Sequence, residues 1–470
     1  RKTETKTCSN CHLTENGGNN AWMAQLLLQG TNFVNFVGLH TYAGLQDGVV
    51  ATQVTEWDEP QAVIGSYLKR YAYPDNYQQH LDNNRQLQTG FEYQDKTTGC
   101  LQLRGEYLFA AAGRKGLVVY DVANVANKGF SQRIVAAPFG RSGYDSVVNT
   151  RNASCVALPT NQPVHPPRNE GELMREVNQE QAMHPIYRYA FTTDLVEGLI
   201  VTDVTSFSDG DINNNFLRRA TTWNPDNVLG GARHISIGGH YAYITADAGL
   251  VIVNLDQPEA PELTAVVALH DARASALQFR YLFVTDSSGL RVIDVTQPAS
   301  PRLLEDAMVP MNDARRIYVA RTYAYVAAGA DGLAIIDLWQ AEQPKLLQYF
   351  NADGQIQNTH DVVVGSTNAS LFAYLADGEA GIHVVQLTSP DSQPNFYGFS
   401  PEPWPELIAT YKTSSAALSL SKGLDRDRGV DETGGQIAVF GRKGSRPLTL
   451  EEMQKLYLDA EGNPWYVDDK

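Results

Sequence analysis

Six segments of this 470-residue chain repeat one phrase, a β-branched run opened by glycine and closed by Asp, Asn or Gln. They are Gly116–Asp121 (GLVVYD), Gly198–Asp203 (GLIVTD), Gly249–Asn254 (GLVIVN), Gly289–Asp294 (GLRVID), Gly332–Asp337 (GLAIID) and Gly381–Gln386 (GIHVVQ). Each reads as a strand set between turn residues. A companion strand rich in Tyr, Phe and small residues lies just upstream, starting at Tyr107, Tyr189, Tyr241, Tyr281, Tyr323 and Leu371. Short Asp/Gly turns such as Asp286–Gly289 join the two into a hairpin. Downstream come a proline-bearing turn and another apolar strand: Pro258 and Pro261 precede Leu263, Pro298 and Pro301 precede Leu303, and Pro344 precedes Leu346. The opening glycines at 249, 289, 332 and 381 are 40, 43 and 49 residues apart. A period near 40 with several short strands per unit predicts an all-β fold, a β-propeller.

The phrase resembles the repeat of the LVIVD-repeat family, whose units are taken to be propeller blades, and the resemblance covers most of residues 100–390. A weaker seventh copy, Gly48–Gln53 (GVVATQ), comes first, with Phe36-Val37 as a poor companion strand. The segment Gln436–Phe440 (QIAVF) is expected to pair with this blade, closing the ring and removing an exposed edge; seven blades are expected, with six or eight as the alternatives. Two stretches break the rhythm. Residues 137–185 are polar and carry Pro159, Pro163, Pro166 and Pro167, which reads as a long loop inserted between blades. Residues 398–435, with Pro401, Pro403, Pro405 and a charged run at Asp425–Arg428, read as a segment wrapping the surface. The expected domains are a small, mostly helical or irregular N-terminal segment (1–35), the propeller (36–440) and a tail (441–470) with a short capped helix over Leu448–Tyr457.

The N-terminal segment holds a different signal. Cys8-Ser9-Asn10-Cys11-His12 is a CxxCH pentapeptide, the attachment signature of c-type haem. Two cysteines at this spacing match the two vinyl groups of one haem, and the adjacent histidine is the proximal iron ligand. A zinc site would need two further ligands, and Cys100 and Cys155 are distant and isolated. A thioredoxin-like dithiol would need a βαβ context, which the chain lacks. One haem c is therefore the expected cofactor, bound by Cys8, Cys11 and His12, with Trp22 either against the ring or in ordinary core.

The surroundings depart from an ordinary one-haem cytochrome domain. No methionine lies between Met23 and Met174, and about 35 residues are too few to build a core alone. The resemblance is instead to multihaem cytochromes, with histidine on both faces of the iron. His40 is the leading candidate for the distal ligand and His80 the next; Met23, a propeller histidine, an open position and another chain stay open. Among the propeller histidines, His234 and His360 both fall near the start of a repeat, where Ala274 or Arg315 stands in other copies. They are expected to share the mouth of a central channel, as a polar lining or, as an alternative, as metal ligands.

The net charge of −16 argues against nucleic acid and anionic membrane surfaces as partners. No run of about 18 uncharged apolar residues is present to span a bilayer. Residue 1 is Arg, with no signal peptide ahead of the motif, the pattern of a trimmed N-terminus. Haem attachment of this kind takes place outside the bacterial cytoplasm, which implies a periplasmic, extracellular or cell-surface protein. In that setting Cys100 and Cys155 are either a disulfide or two separately buried thiols. No GxSxG, Walker loop or HExxH motif is present. The leading reading is an electron-transfer protein, its partners other cytochromes or redox proteins, in a homo- or hetero-oligomer or a multihaem assembly. Two alternatives stand beside it. One is a redox enzyme using the propeller for a substrate or second cofactor, an architecture that cytochrome cd1 nitrite reductases permit. The other is an adhesion or assembly protein with an accessory haem.

Overall fold

The computed structural model describes residues 39–57, 62–122, 125–130, 147–161, 163–177, 182–209, 214–367, 370–391 and 400–421, with short pieces between 442 and 463. Every repeated phrase is the third strand of an antiparallel sheet, and its upstream companion is the second. The phrase begins with glycine because of two local demands. At Gly249 the backbone φ is +110°, and a Cβ there would stand 2.3 Å from the Val267 carbonyl oxygen of the fourth strand. Only a residue without a side chain accepts both. The closing residue caps the following turn: Asp294 Oδ1 accepts from the Thr296 N–H at 2.9 Å, and Asn254 and Asp337 make the same bond at 2.8 Å.

Seven such sheets are present, here numbered as blades in chain order. Blade 1 runs Ala417–Ser421, His40–Leu45, Gly48–Gln53, Gly90–Gln94 from inner to outer strand. Blade 2 begins at Cys100–Arg104, blade 3 at Ala153–Ala157, blade 4 at His234–Gly238, blade 5 at Ala274–Gln278, blade 6 at Ile317–Ala320 and blade 7 at Asp361–Thr367. Each of these inner strands packs against the next, and that of blade 7 against that of blade 1, which in turn meets blade 2. The ring is closed. The core lies between blades, since alternate residues of one strand face opposite neighbours. In blade 4, Val251 and Val253 join Phe191 and Leu199 of blade 3, while Leu250 and Ile252 join Leu282 and Val284 of blade 5. Hence the unbroken apolar run of the phrase: both faces are buried.

Several expectations are corrected. The strand that closes the ring is Ala417–Ser421, not Gln436–Phe440, which lies outside the described residues. Its alternation of Ala417, Ser419 and Ser421 with Leu418 and Leu420 suits an inner strand, with Leu420 buried in the interface with blade 7. The strand beside it is His40–Leu45; Phe36-Val37 lies outside the described residues. Residues 137–185 are not one loop: Val147–Val148 is the outer strand of blade 2 and Ala153–Ala157 the inner strand of blade 3. Residues 398–435 likewise contain Glu406–Tyr411, the outer strand of blade 7, as well as the closing strand. Two helices the repeat pattern did not announce, Tyr67–Ala72 and Pro74–Asp82, sit between the third and fourth strands of blade 1. Ser66 caps the first by accepting the Lys69 N–H at 3.2 Å. Pieces of the expected helix over 448–457 are described, with Lys455 paired to Glu451 at 2.7 Å. No helix among the described residues is long and apolar enough to cross a membrane.

Candidate functional site

The inner strands place one residue of each blade at a common level of the central channel. On each second strand, one residue pairs with the residue directly after the phrase-opening glycine: Gly44, Ala111, Thr193, Thr245, Thr285, Ala327 and Ala376 pair with Val49, Leu117, Leu199, Leu250, Leu290, Leu333 and Ile382. On their inner side the same residues face Ser419, Cys100, Cys155, His234, Ala274 and, in blade 7, Asp361. In blade 6 the Ala327 N–H donates to the Arg316 carbonyl, one residue before the Ile317–Val326 pair, so Arg316 fills the slot. One layer of the ring therefore carries Ser, two Cys, His, Ala, Arg and Asp.

The two cysteines of this layer form a disulfide between blades 2 and 3, with Cα atoms 4.8 Å apart. The alternative of two separate thiols is thus closed. Cys155 is 1 % exposed and Cys100 half-buried. From blade 6, three blades away in either direction, Arg316 reaches across the channel. Its Nη1 lies 3.7 Å from Cys155 Sγ and its Nη2 donates to the Gly99 carbonyl at 3.2 Å. Both acceptors are neutral, and among the described residues no carboxylate forms an ion pair with this guanidinium. Asp361, on the neighbouring blade, accepts instead from the Val362 and Leu420 N–H groups, each at 2.8 Å. Burial raises its carboxyl to a pKa of about 6, against the opposing pull of Arg316. Burial, reinforced by Arg316, pushes His234 well below the ordinary imidazole range, and its Nδ1 accepts the Ser275 N–H at 3.2 Å. Arg316, Asp361 and His234 are half-buried; His234 and Asp361 open the innermost strands of their blades, and Arg316 directly precedes that of blade 6.

One residue nearer the strand starts, the charges are paired. Arg233 meets Asp247 at 2.7 Å; Arg273 bridges Asp271 at 3.0 Å and Asp313 at 2.7 Å; Arg315 meets Asp313 at 2.8 Å. Burial pushes Asp313 up, but Arg315 and Arg273 outweigh it and hold the carboxyl below its ordinary value. His360 belongs to this layer, its Nε2 3.2 Å from Asn358 Nδ2. The expected equivalence of His234 and His360 is corrected: the register sets them one residue apart, His234 level with Ala274 and His360 level with Arg315. His383 is buried against Asp377 at 3.2 Å, and His240 stacks on His184 at the opposite end of the second-strand hairpin. Among the described residues no group of three or more His, Cys, Asp or Glu is arranged to hold a metal.

The haem-related residues divide. Cys8, Cys11, His12, Trp22 and Met23 lie outside the described residues. His40 opens the second strand of blade 1, 8 % exposed, its ring edge-on to Phe91 at 5.9 Å, its Nε2 without a hydrogen-bond partner among the described residues. Burial lowers its pKa to about 4. His80, on the helix Pro74–Asp82, is tied by Nε2 to the Ile408 carbonyl at 2.8 Å and is also lowered by burial. The structure thus brings neither histidine to the channel. What the sequence reading missed is the cysteine–arginine–aspartate layer. Its signal was available: each of these residues stands directly before an inner strand's apolar run, at one slot of the repeat.

The LVIVD repeat model matches residues 97–134, 229–267, 272–309 and 312–344, which fall on blades 2, 4, 5 and 6. No curated protein matches the chain. Among solved structures, a protein from Lactobacillus plantarum superposes with a TM-score of 0.51 at 9% identity, over 82% of this chain and 98% of that one. The Cps50 (Swd1) β-propeller domain of Myceliophteria thermophila superposes with a TM-score of 0.44 at 10% identity, over 70% of this chain and 90% of that one. The chain is a seven-bladed β-propeller built in part from LVIVD repeats.

Proposed function

We propose that this protein is an extracytoplasmic electron carrier, holding one haem c through Cys8, Cys11 and His12, with the propeller as its scaffold and docking surface. The observation that carries the reading is the Cys8-Ser9-Asn10-Cys11-His12 pentapeptide. When bound, the haem supplies one-electron chemistry, with a potential tuned by the distal ligand and by burial. His40 fits the distal role on chemical grounds. An iron ligand must be a neutral imidazole with a free nitrogen. Burial keeps His40 neutral down to pH about 4, its Nε2 has no partner among the described residues, and it lies 28 residues past His12 in the chain. His80 fits less well, because its Nε2 is committed to Ile408. The Cys100–Cys155 disulfide is in keeping with an oxidising compartment. The acidic balance suits a partner of basic surface, such as another redox protein.

The test is the visible spectrum of the full chain matured in a host that attaches haem c. The expected product carries one covalently bound, low-spin haem unmoved by carbon monoxide. His40→Ala converts it to a high-spin, carbon monoxide-binding form, and His80→Ala leaves it unchanged. A chain that acquires no covalent haem under these conditions refutes the reading, and a low-spin spectrum in the His40 variant refutes the ligand assignment.

A further inference from the structure

The channel layer has a chemistry of its own, independent of the haem. It combines a disulfide with a guanidinium whose hydrogen bonds go to neutral groups, Asp361 acting on it only through space. Buried charges are normally paired, because an isolated one is costly to hold away from water. Arg316 instead spans the channel to a neutral carbonyl and to a disulfide sulfur, while the nearest candidate carboxylate, Asp361, is held by two backbone amides. Opening the disulfide would place a thiolate where the guanidinium already points. Arginine beside a cysteine sulfur lowers the thiol's pKa and so favours the reduced state of the pair. The Val156 N–H, 3.4 Å from Cys100 Sγ, gives that sulfur only a neutral donor. Access runs the other way: Cys100 is half-buried, whereas Cys155 is 1 % exposed. Attack therefore falls on Cys100, and Cys155 is the leaving group.

We propose that the Cys100–Cys155 disulfide is a reactive two-electron centre, opened inside the channel by a small dithiol, with Arg316 holding the Cys155 thiolate. One thiolate of the dithiol attacks Cys100 Sγ. The bond between the two protein sulfurs breaks, and its electron pair stays on Cys155 opposite Arg316. The second thiolate of the same dithiol then attacks its own mixed-disulfide sulfur, releasing Cys100, which takes a proton from water. The dithiol loses two electrons and two protons and becomes a disulfide. One of those protons is balanced by Cys100 and the other stays in solution. A small dithiol is the reductant named because the layer lies within the ring of all seven inner strands. His234 and Asp361 are the other titratable side chains at this level; Arg315, Arg273 and His360 lie one level away.

The experiment uses the full chain, folded and oxidised, in dithiothreitol buffers of graded ratio, followed by acid trapping, alkylation in denaturant and peptide mapping so that Cys100 and Cys155 are counted separately from Cys8 and Cys11. Both channel cysteines should be reduced in buffers in which far-ultraviolet circular dichroism shows the protein still folded. Arg316→Gln should shift the equilibrium about tenfold toward the disulfide, about 30 mV for a two-electron couple, with Arg316→Lys in between. In the reduced parent, the Cys155 thiol, followed by the NMR signal of its 13C-labelled Cβ, should titrate with a pKa well below the ordinary thiol value of about 8.5. This second readout stands even where the Gln variant does not fold. A disulfide that opens only when the protein unfolds overturns the proposal, as does a Cys155 titration at or above the ordinary value. An unchanged equilibrium in a folded Arg316→Gln protein overturns it too. None of these outcomes depends on whether haem is attached.

Discussion

At the scale of single residues, the repeat puts chemically unlike side chains into one structural slot, and their surroundings then set their behaviour. Asp361 is the clearest case. Its carboxyl is raised by burial from 3.8 to about 6, so between those values the folded protein holds a proton that the unfolded chain has lost. The associated stability is fully present below pH 3.8 and is lost as the pH rises through about 6. Allowing for water in the channel, the loss is about 2 kcal/mol. Asp361→Asn removes the titration while giving up one of two backbone-amide contacts, so its absolute stability is offset from the parent. The difference between the two proteins should nevertheless move by about 2 kcal/mol in favour of Asn between pH 4 and pH 7.5. Urea unfolding at the two pH values checks this, and a difference that does not change with pH would show that Asp361 titrates normally. None of this titration was legible in the sequence, where His234 and His360 drew attention because histidine has a pKa near neutrality, while the shift of Asp361 depends on burial that only the closed ring provides.

At the scale of elements, the legible strands were those buried on both faces. Gly249–Asn254 and its relatives need a continuous apolar run, a glycine at a crowded turn and an Asx residue to end it, and those three demands leave a visible phrase. The inner and outer strands carry no comparable phrase. Ala417–Ser421 packs its small side chains against the second strand of blade 1 and against blade 2, so it is written in Ala and Ser rather than Val and Ile. Val147–Val148 is two residues long, too short for any period to appear. The tightness of the closing contact gives a test. A Cβ on Gly44 would stand 2.3 Å from both Ser419 Oγ and the Thr98 carbonyl oxygen. Gly44→Ala should cost about 1–3 kcal/mol, read as a lowered denaturant midpoint at unchanged slope. Adding Ser419→Ala should not restore the midpoint, because the Thr98 carbonyl belongs to the backbone and stays in the way. Full recovery would place the strain elsewhere.

At the scale of the molecule, one fact dominates: the first blade is assembled from strands 380 residues apart, with Thr41 bonded to the Ser421 carbonyl. Removing residues 416–470 should therefore open the ring. The His40–Leu45 strand becomes an unpaired edge, the Leu420 N–H is lost from Asp361, and the lost burial of Leu420 alone costs about 2 kcal/mol. Size-exclusion chromatography and a thermal melt should show a less stable, self-associating protein, whereas a monomer melting with the intact chain would mean that the ring does not depend on this strand. The sequence by itself determined the architecture, a propeller of about 40-residue units, because burying both faces of a strand between two neighbours demands a local pattern that repeats with every blade. It also carried the CxxCH pentapeptide, whose chemistry lies in adjacent residues. Only the tertiary structure decided which strand closes the ring and which residues meet across the channel. Cys100, Cys155 and Arg316 lie far apart in the chain, and their meeting depends on the closure of seven registers at once. No local pattern encodes that condition.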